Sequence, residues 1–240
     1  MITGELRSRL SGPSRLLSNR IIFIPYVYTL CILQIERNVL ALTFFEVIID
    51  VGTLKHLKHL LKTTRASSIV KETMWLLSNV LAGTHSQIDA VFSEDLLVNI
   101  VNVLKDGDSG SQSEAGWALS NLAVGGTTKQ VMQIFKEGGL EAICSVLDTP
   151  NSELCSNLLD TLNNVLKIGK ANDPMRFSNM LDRIEECGGL EKIEALQDHK
   201  SERIYKTAYH IIENFFDVAE EEKECRSEID PVTDSQKFSF

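Results

Sequence analysis

Two segments of the chain carry the same polar and aromatic side chains at the same spacing. Each segment reads Glu-x-x-Trp-x-x-Ser-Asn, and the second copy follows the first by 42 residues. The six candidate binding side chains are Glu72, Trp75, Asn79, Glu114, Trp117 and Asn121. In a helix, residues three or four apart lie on one face, so each segment would present its Glu, Trp and Asn together.

This combination of side chains suits an extended peptide rich in lysine and arginine. An asparagine amide both donates and accepts hydrogen bonds, so it can hold peptide main chain of any sequence. Indole rings can flank the stems of basic side chains, with a cation–π attraction of roughly 0.5–2 kcal/mol per contact. The two glutamates would supply counter-charge near the basic head groups.

A packing role is the alternative for each residue alone, since a tryptophan at a helical apolar position is usually core and an asparagine near a helix end is often a cap. Two copies at one repeat interval, each with Glu at the same offset, favour the binding interpretation. Packing alone would not select the same polar Asn and Glu twice.

The elements that must position these side chains are helices arranged in repeats. Short turns before a leucine recur at Gly52, Asp95, Gly139 and Gly189, in steps of 43, 44 and 50 residues. Between them, segments such as Leu96–Leu104 and Leu140–Leu147 have the three- and four-residue apolar spacing of amphipathic helices. Helical repeats of this period are typical of armadillo and HEAT proteins. We therefore predict an all-α armadillo-repeat fold, a right-handed α-solenoid.

The chain divides into three parts by composition. Four repeats are expected over 46–87, 88–130, 131–180 and 181–218, and residues 219–240 form an acidic, polar tail expected to be disordered. Residues 1–45 are divergent, basic at first and then apolar. Their apolar run, Ile21–Ile35, is broken by Pro25 and is short of the ~20 residues of a membrane span. It is open to three interpretations: remnant repeat helices, a weak membrane anchor, or sequence foreign to the fold.

Bulk properties narrow the function further. The formal net charge is -9, which disfavours nucleic acid and anionic membranes as partners. The five cysteines are odd in number and form no C-x-x-C pair, so reduced thiols are expected. No recognisable catalytic, metal-binding or cofactor-binding motif occurs, so we expect neither an enzyme nor a cofactor.

The repeated segments resemble importin-alpha, the adaptor that carries nuclear-localisation-signal cargo. The blocks Ile184–Gln197 and Ile204–Phe216 resemble the last armadillo repeats of that family. The resemblance implies that the two Trp–Asn pairs match the minor cargo groove, with Glu72 and Glu114 at its acidic positions. By the same resemblance Asn164 keeps the asparagine place in the third repeat, whereas Asp160 stands where a tryptophan would be.

The resemblance also implies partners and a location. Basic nuclear-localisation-signal cargo is the expected partner, and the last repeat would contact the export receptor that recycles the adaptor. The family's basic importin-beta-binding segment and its first repeats are not recognisable in residues 1–45. We therefore expect an N-terminally truncated or divergent chain, without importin-beta binding, in cytoplasm and nucleus. The competing hypothesis is a truncated armadillo scaffold that has lost cargo transport and acts only through protein–protein interaction.

Overall fold

The computed structural model describes residues 39–64 and 66–217. Within these ranges the chain forms twelve α-helices in four groups of three. The first two groups are α1 (Val39–Asp50), α2 (Thr53–Thr63), α3 (Ser67–Leu81), α4 (His85–Ser93), α5 (Leu96–Asp106) and α6 (Ser109–Gly125). The last two are α7 (Thr128–Lys136), α8 (Gly139–Val146), α9 (Ser152–Asn172), α10 (Pro174–Glu186), α11 (Gly189–Ala195) and α12 (Glu202–Ile211).

Two short helical turns complete the fourth group: a 3₁₀ turn at Leu196–Asp198 and a π-helix at Ile212–Asp217. The described ranges contain no strand, and the predicted helical segments lie in α5 and α8, except that Leu147 is the C-cap of α8. The all-α prediction is confirmed. The expectations for the apolar run Ile21–Ile35 and for the tail 219–240 concern residues outside the described ranges.

The turn between the first two helices of each group has the same backbone conformation. One residue in each is left-handed: Gly52 (φ 76°), Asp95 (φ 49°), Gly138 (φ 78°) and Gly188 (φ 71°). Glycine adopts this conformation without the steric cost that a Cβ imposes. In the last two turns the left-handed residue therefore precedes by one the glycine that the sequence pattern had marked.

Side-chain caps mark the starts of several other helices. Thr84 and Thr127 form capping boxes at the starts of α4 and α7, each with a glutamine three residues later. Asp108 and Asn151 accept backbone hydrogen bonds at the starts of α6 and α9. These caps satisfy backbone N–H groups that have no partner within the helix, so the third helices of two groups begin at equivalent points.

The third helices of successive groups pack side by side: α3 on α6, α6 on α9, and α9 on α12. Their common register is visible in the core. The fourteenth residue of each, counted from the helix start and into the π-helix after α12, is buried: Val80, Leu122, Val165 and Phe215. One group cannot bury its apolar faces alone, so stacking produces a continuous core.

Polar contacts also join each group to the next. Lys58 Nζ lies 3.0 Å from Asp95 Oδ2, and Lys192 Nζ lies 3.2 Å from Asp148 Oδ2. Arg183 pairs with Glu141, donates to the carbonyl oxygen of Phe135 at 3.3 Å, and stacks its guanidinium carbon 4.8 Å from the Phe135 ring centre. Ion pairs therefore add to the packing between the first and second groups and between the third and fourth.

Candidate peptide-binding site

Equivalent places on the third helices carry the candidate side chains. We call the three sets the acidic row, the aromatic row and the amide row, after the residues in the first two groups. Places are counted from the first residue of each third helix. The sixth place, the acidic row, holds Glu72, Glu114, Asn157 and Thr207 in chain order. The ninth place, the aromatic row, holds Trp75, Trp117, Asp160 and His210, and the thirteenth place, the amide row, holds Asn79, Asn121, Asn164 and Asn214. Because the helices pack side by side, each row runs across the repeats.

The two tryptophans differ in exposure. Trp117 is 44% exposed, which makes it one of the few large apolar side chains of the described residues open to solvent. Trp75 is half-buried and packs against the core. An exposed indole on a helix surface carries an apolar cost that a ligand could relieve. Trp117 is therefore the better candidate for a binding surface, whereas Trp75 contributes at least in part to packing.

The asparagines of the amide row bond to the protein itself. Asn79 Nδ2 donates to the carbonyl oxygen of Trp75 at 2.7 Å. Asn121 Nδ2 donates across the repeat boundary to the carbonyl oxygen of Ser78 at 2.9 Å. An amide has two N–H protons and an acceptor oxygen, so one such bond leaves hydrogen-bonding capacity for a ligand. The Asn121 bond adds a structural role that sequence reasoning did not anticipate.

The acidic row brings two carboxylates from neighbouring repeats close enough to interact. Burial raises the pKa of Glu114, Lys71 opposes this shift, and the charge of Glu72 adds to it. A half-buried carboxylate with a like charge nearby gains more than an exposed one from a cationic partner. This pair can therefore supply counter-charge beside Trp117.

The third repeat differs from the first two in the acidic row and in the aromatic row. Asn157 takes the acidic place, is buried, and has an Nδ2 without a hydrogen-bond partner among the described residues. Asp160 takes the aromatic place, and its Oδ2 lies 2.6 Å from Nη2 of Arg203 in the fourth repeat. Asn164 keeps the amide place and is partly exposed. The row of indoles therefore ends at Trp117.

In the fourth repeat, His210 and Asn214 take the aromatic and amide places, and sequence analysis missed this pair. Asn214 Nδ2 donates to the carbonyl oxygen of His210 at 2.7 Å, the same bond that joins Asn79 to Trp75. The pair escaped notice because Asn214 follows Asn164 by 50 residues rather than about 43. The turn glycines Gly138 and Gly188 are also 50 residues apart, so an alignment of the repeats on their turns would have located Asn214.

No group of His, Cys, Asp and Glu in the described part of the chain is arranged to hold a metal ion. Among those same residues, the helices are too short or too polar to cross a membrane. The side chains that the rows offer to a ligand are aromatic rings, amides and carboxylates.

Comparisons with known proteins agree with this architecture. Residues 178–229 match the atypical armadillo repeat family. Importin subunit alpha-4 of Arabidopsis thaliana is 35% identical over 69% of this chain and 31% of its own length. Importin subunit alpha-2 of Caenorhabditis elegans is 43% identical over 81% of this chain and 36% of its own. The chain thus spans about a third of the length of these curated relatives.

Solved structures show the same fold. A designed armadillo repeat protein in complex with the peptide (KR)4 superposes with a TM-score of 0.61 at 23% identity, covering 89% of this chain and 91% of that one. An engineered protein reaches a TM-score of 0.59 at 26% identity, covering 71% of this chain and 39% of that one. From the repeat geometry and these relatives together, the chain belongs to the importin-alpha family of armadillo-repeat proteins.

Proposed function

We propose that this chain binds peptides rich in lysine and arginine along the aromatic, amide and acidic rows. The observation that carries the proposal is Trp117, an exposed indole three residues from the half-buried Glu114 on α6. The stem of a lysine or arginine would lie on the ring while its head group approaches the carboxylate. The amide row would hold the peptide main chain, through the capacity that its internal bonds leave.

The relatives support one class of cargo for this proposal. Importin-alpha subunits are transport adaptors, so the basic peptides would be nuclear-localisation signals and the protein would work in both cytoplasm and nucleus. Contact of the last repeat with the export receptor belongs to the same proposal. The designed armadillo protein solved with (KR)4 is an instance of this fold holding such a peptide, but at 23% identity that likeness concerns the fold alone.

A scaffold without cargo is the second candidate, and two contacts favour it. Trp75 packs against the core, and Asn121 joins α6 to α3. If these side chains serve only packing, the repeated spacing of the rows would be a requirement of the stack. The two candidates differ in what happens when an exposed row residue is removed.

The test measures the affinity of the full chain for a fluorescent (Lys-Arg)4 peptide together with the melting temperature. Trp117→Ala should weaken binding by roughly 1–3 kcal/mol, because an aromatic anchor behaves as an interface hot spot. Its melting temperature should change little, since the ring is already 44% exposed. Asn121→Ala should weaken binding with less dependence on peptide sequence, and should also cost about 1 kcal/mol of folding stability through the lost bond to Ser78.

The matched control is Val98→Ala, which trims another exposed apolar side chain, on α5 rather than on a third helix. It should leave peptide affinity unchanged. Raising the salt concentration should weaken the wild-type complex, because charge pairing contributes. If Trp117→Ala binds as tightly as the wild type, or loses affinity only as far as it unfolds, the scaffold is the better account.

A further inference from the structure

The aromatic row does not stop at Trp117; its third place is charged. Asp160 lies on α9 at the place that the tryptophans occupy on α3 and α6. Since α6 and α9 are packed together, this carboxylate stands one helix further along the row from the exposed Trp117. An extended ligand that runs along the aromatic row would therefore meet the Trp117 ring and then the Asp160 carboxylate, which can accept a cation.

Asp160 already holds a basic side chain. Arg203, at the start of α12, places Nη2 2.6 Å from Asp160 Oδ2. The Arg203 side chain is 72% exposed and that of Asp160 is 36% exposed. An exposed ion pair of this kind is worth little, because solvent screens the charges and the long arginine side chain must be held in one place. The guanidinium can thus be displaced at small cost.

We infer that Asp160 is a further subsite for one lysine or arginine side chain of a bound peptide, and that Arg203 occupies it in the free protein as an internal competitor. The inference rests on the proposed peptide binding, and it extends the peptide-binding surface into the third repeat. A peptide that reaches Asp160 must first exchange its own cation for Arg203. Peptides that end at Trp117 are indifferent to both residues.

The geometry sets the length of peptide that would reach the subsite. Packed helices have axes about 8–10 Å apart, and an extended chain advances about 3.3 Å per residue. One repeat therefore corresponds to about three peptide residues. The probe set is a fluorescent (Lys-Arg)2 peptide and the same peptide extended at either end by an alanine spacer of one to three residues and a single lysine.

The experiment compares Arg203→Gln with the wild-type full chain on these peptides. Removing the competitor should tighten at least one extended peptide about two- to fivefold, as an exposed ion pair allows, and should leave the short peptide unchanged. In Asp160→Asn the extra lysine should confer no advantage. In the double variant, the Arg203 substitution should no longer matter. Arg203→Ser gives the same test if the glutamine makes new contacts.

Lys136→Gln is the matched control for net charge, since Lys136 is exposed at the end of α7 and does not belong to a third helix or to any of the rows. If it tightens the extended peptide as much as Arg203→Gln does, or if Arg203→Gln affects short and extended peptides equally, the subsite is refuted. An absence of any change at Arg203 refutes it too. Failure of the short peptide to bind the wild-type chain overturns the proposed function itself, and the subsite with it.

Discussion

At the scale of single residues, Glu114 stands out in the rows because its pKa is raised. Its carboxyl is half-buried, and its pKa is raised by burial and by the neighbouring charge of Glu72, against the opposing effect of Lys71. Ionised Glu114 is thus held at a cost in the free protein. A bound lysine or arginine head group would remove part of that cost, because an opposite charge favours the ionised form.

This coupling predicts a pH dependence of peptide binding. Binding lowers the pKa of Glu114 and so releases a proton, which means that affinity should be full above the raised pKa and fall as the pH drops through it. Titrating the affinity of the (Lys-Arg)4 peptide from neutral pH downward should show this loss beginning at a higher pH than an ordinary glutamate would give. Glu114→Gln should bind more weakly at neutral pH and lack that early loss. Identical pH profiles for the two proteins would contradict the coupling.

At the scale of elements, the left-handed turns before α2, α5, α8 and α11 decide where the second helices begin. Three of them use glycine, and the turn before α5 uses Asp95, which also pairs with Lys58. Aspartate and asparagine are the non-glycine residues that visit this conformation most readily. The exposed pair with Lys58 is worth about 0–1 kcal/mol, so it can offset only part of the backbone cost.

Gly52→Ala isolates the cost of this turn. A Cβ built at Gly52 meets nothing within 4 Å, so its effect comes from the backbone conformation at φ 76°. Denaturant unfolding should show a loss of about 1–2 kcal/mol for alanine, and a smaller loss for Gly52→Asp, which places the residue of the second repeat in the first. Equal stability of the alanine and aspartate variants would count against a left-handed requirement.

The turns and helices are the part of the fold that could be predicted from the sequence, because glycine conformation and apolar spacing act locally. The resemblance of Ile184–Gln197 and Ile204–Phe216 to the last armadillo repeats of the family could likewise be recognised from the sequence alone. What escaped were contacts between repeats, such as Asn121 to Ser78 and Asp160 to Arg203. These depend on how two helices lie against each other, which residue spacing within one helix does not determine.

At the scale of the whole molecule, each repeat is held mainly by its immediate neighbours. Arg183 is central to the boundary between the third and fourth repeats, because it pairs with Glu141 of α8 and stacks on Phe135 of α7. Both partners of the ion pair are about two-thirds buried, with 31% of each side chain exposed. Removing the arginine would leave a largely buried carboxylate without its cation.

Arg183→Ala should therefore loosen the fourth repeat more than the others. We expect a loss of about 1–3 kcal/mol, the range for leaving a buried polar group unsatisfied. Amide hydrogen exchange should accelerate in α10–α12 and remain slow in α5 and α6, because stability in a repeat array passes between neighbours.

Lys192→Ala provides the comparison at the same boundary. It removes the pair with Asp148, whose carboxylate side chain is 71% exposed, so stability should change by less than about 1 kcal/mol. An equal loss in both variants would show that the boundary responds to charge in general. Uniform acceleration of exchange along the whole chain after Arg183→Ala would show that the four repeats open as one unit.

The neighbour-to-neighbour pattern also has a kinetic consequence. Contacts such as Arg203–Asp160 and Asn121–Ser78 close loops of 43 residues, and this loop length does not grow as repeats are added. The entropy lost on closing each loop is therefore the same at every boundary, and low contact order favours rapid folding from whichever pair of repeats forms first. A peptide lying along the rows across several repeats would then make contacts over a longer stretch of sequence than any contact between two neighbouring repeats, and it would link repeats that do not touch one another.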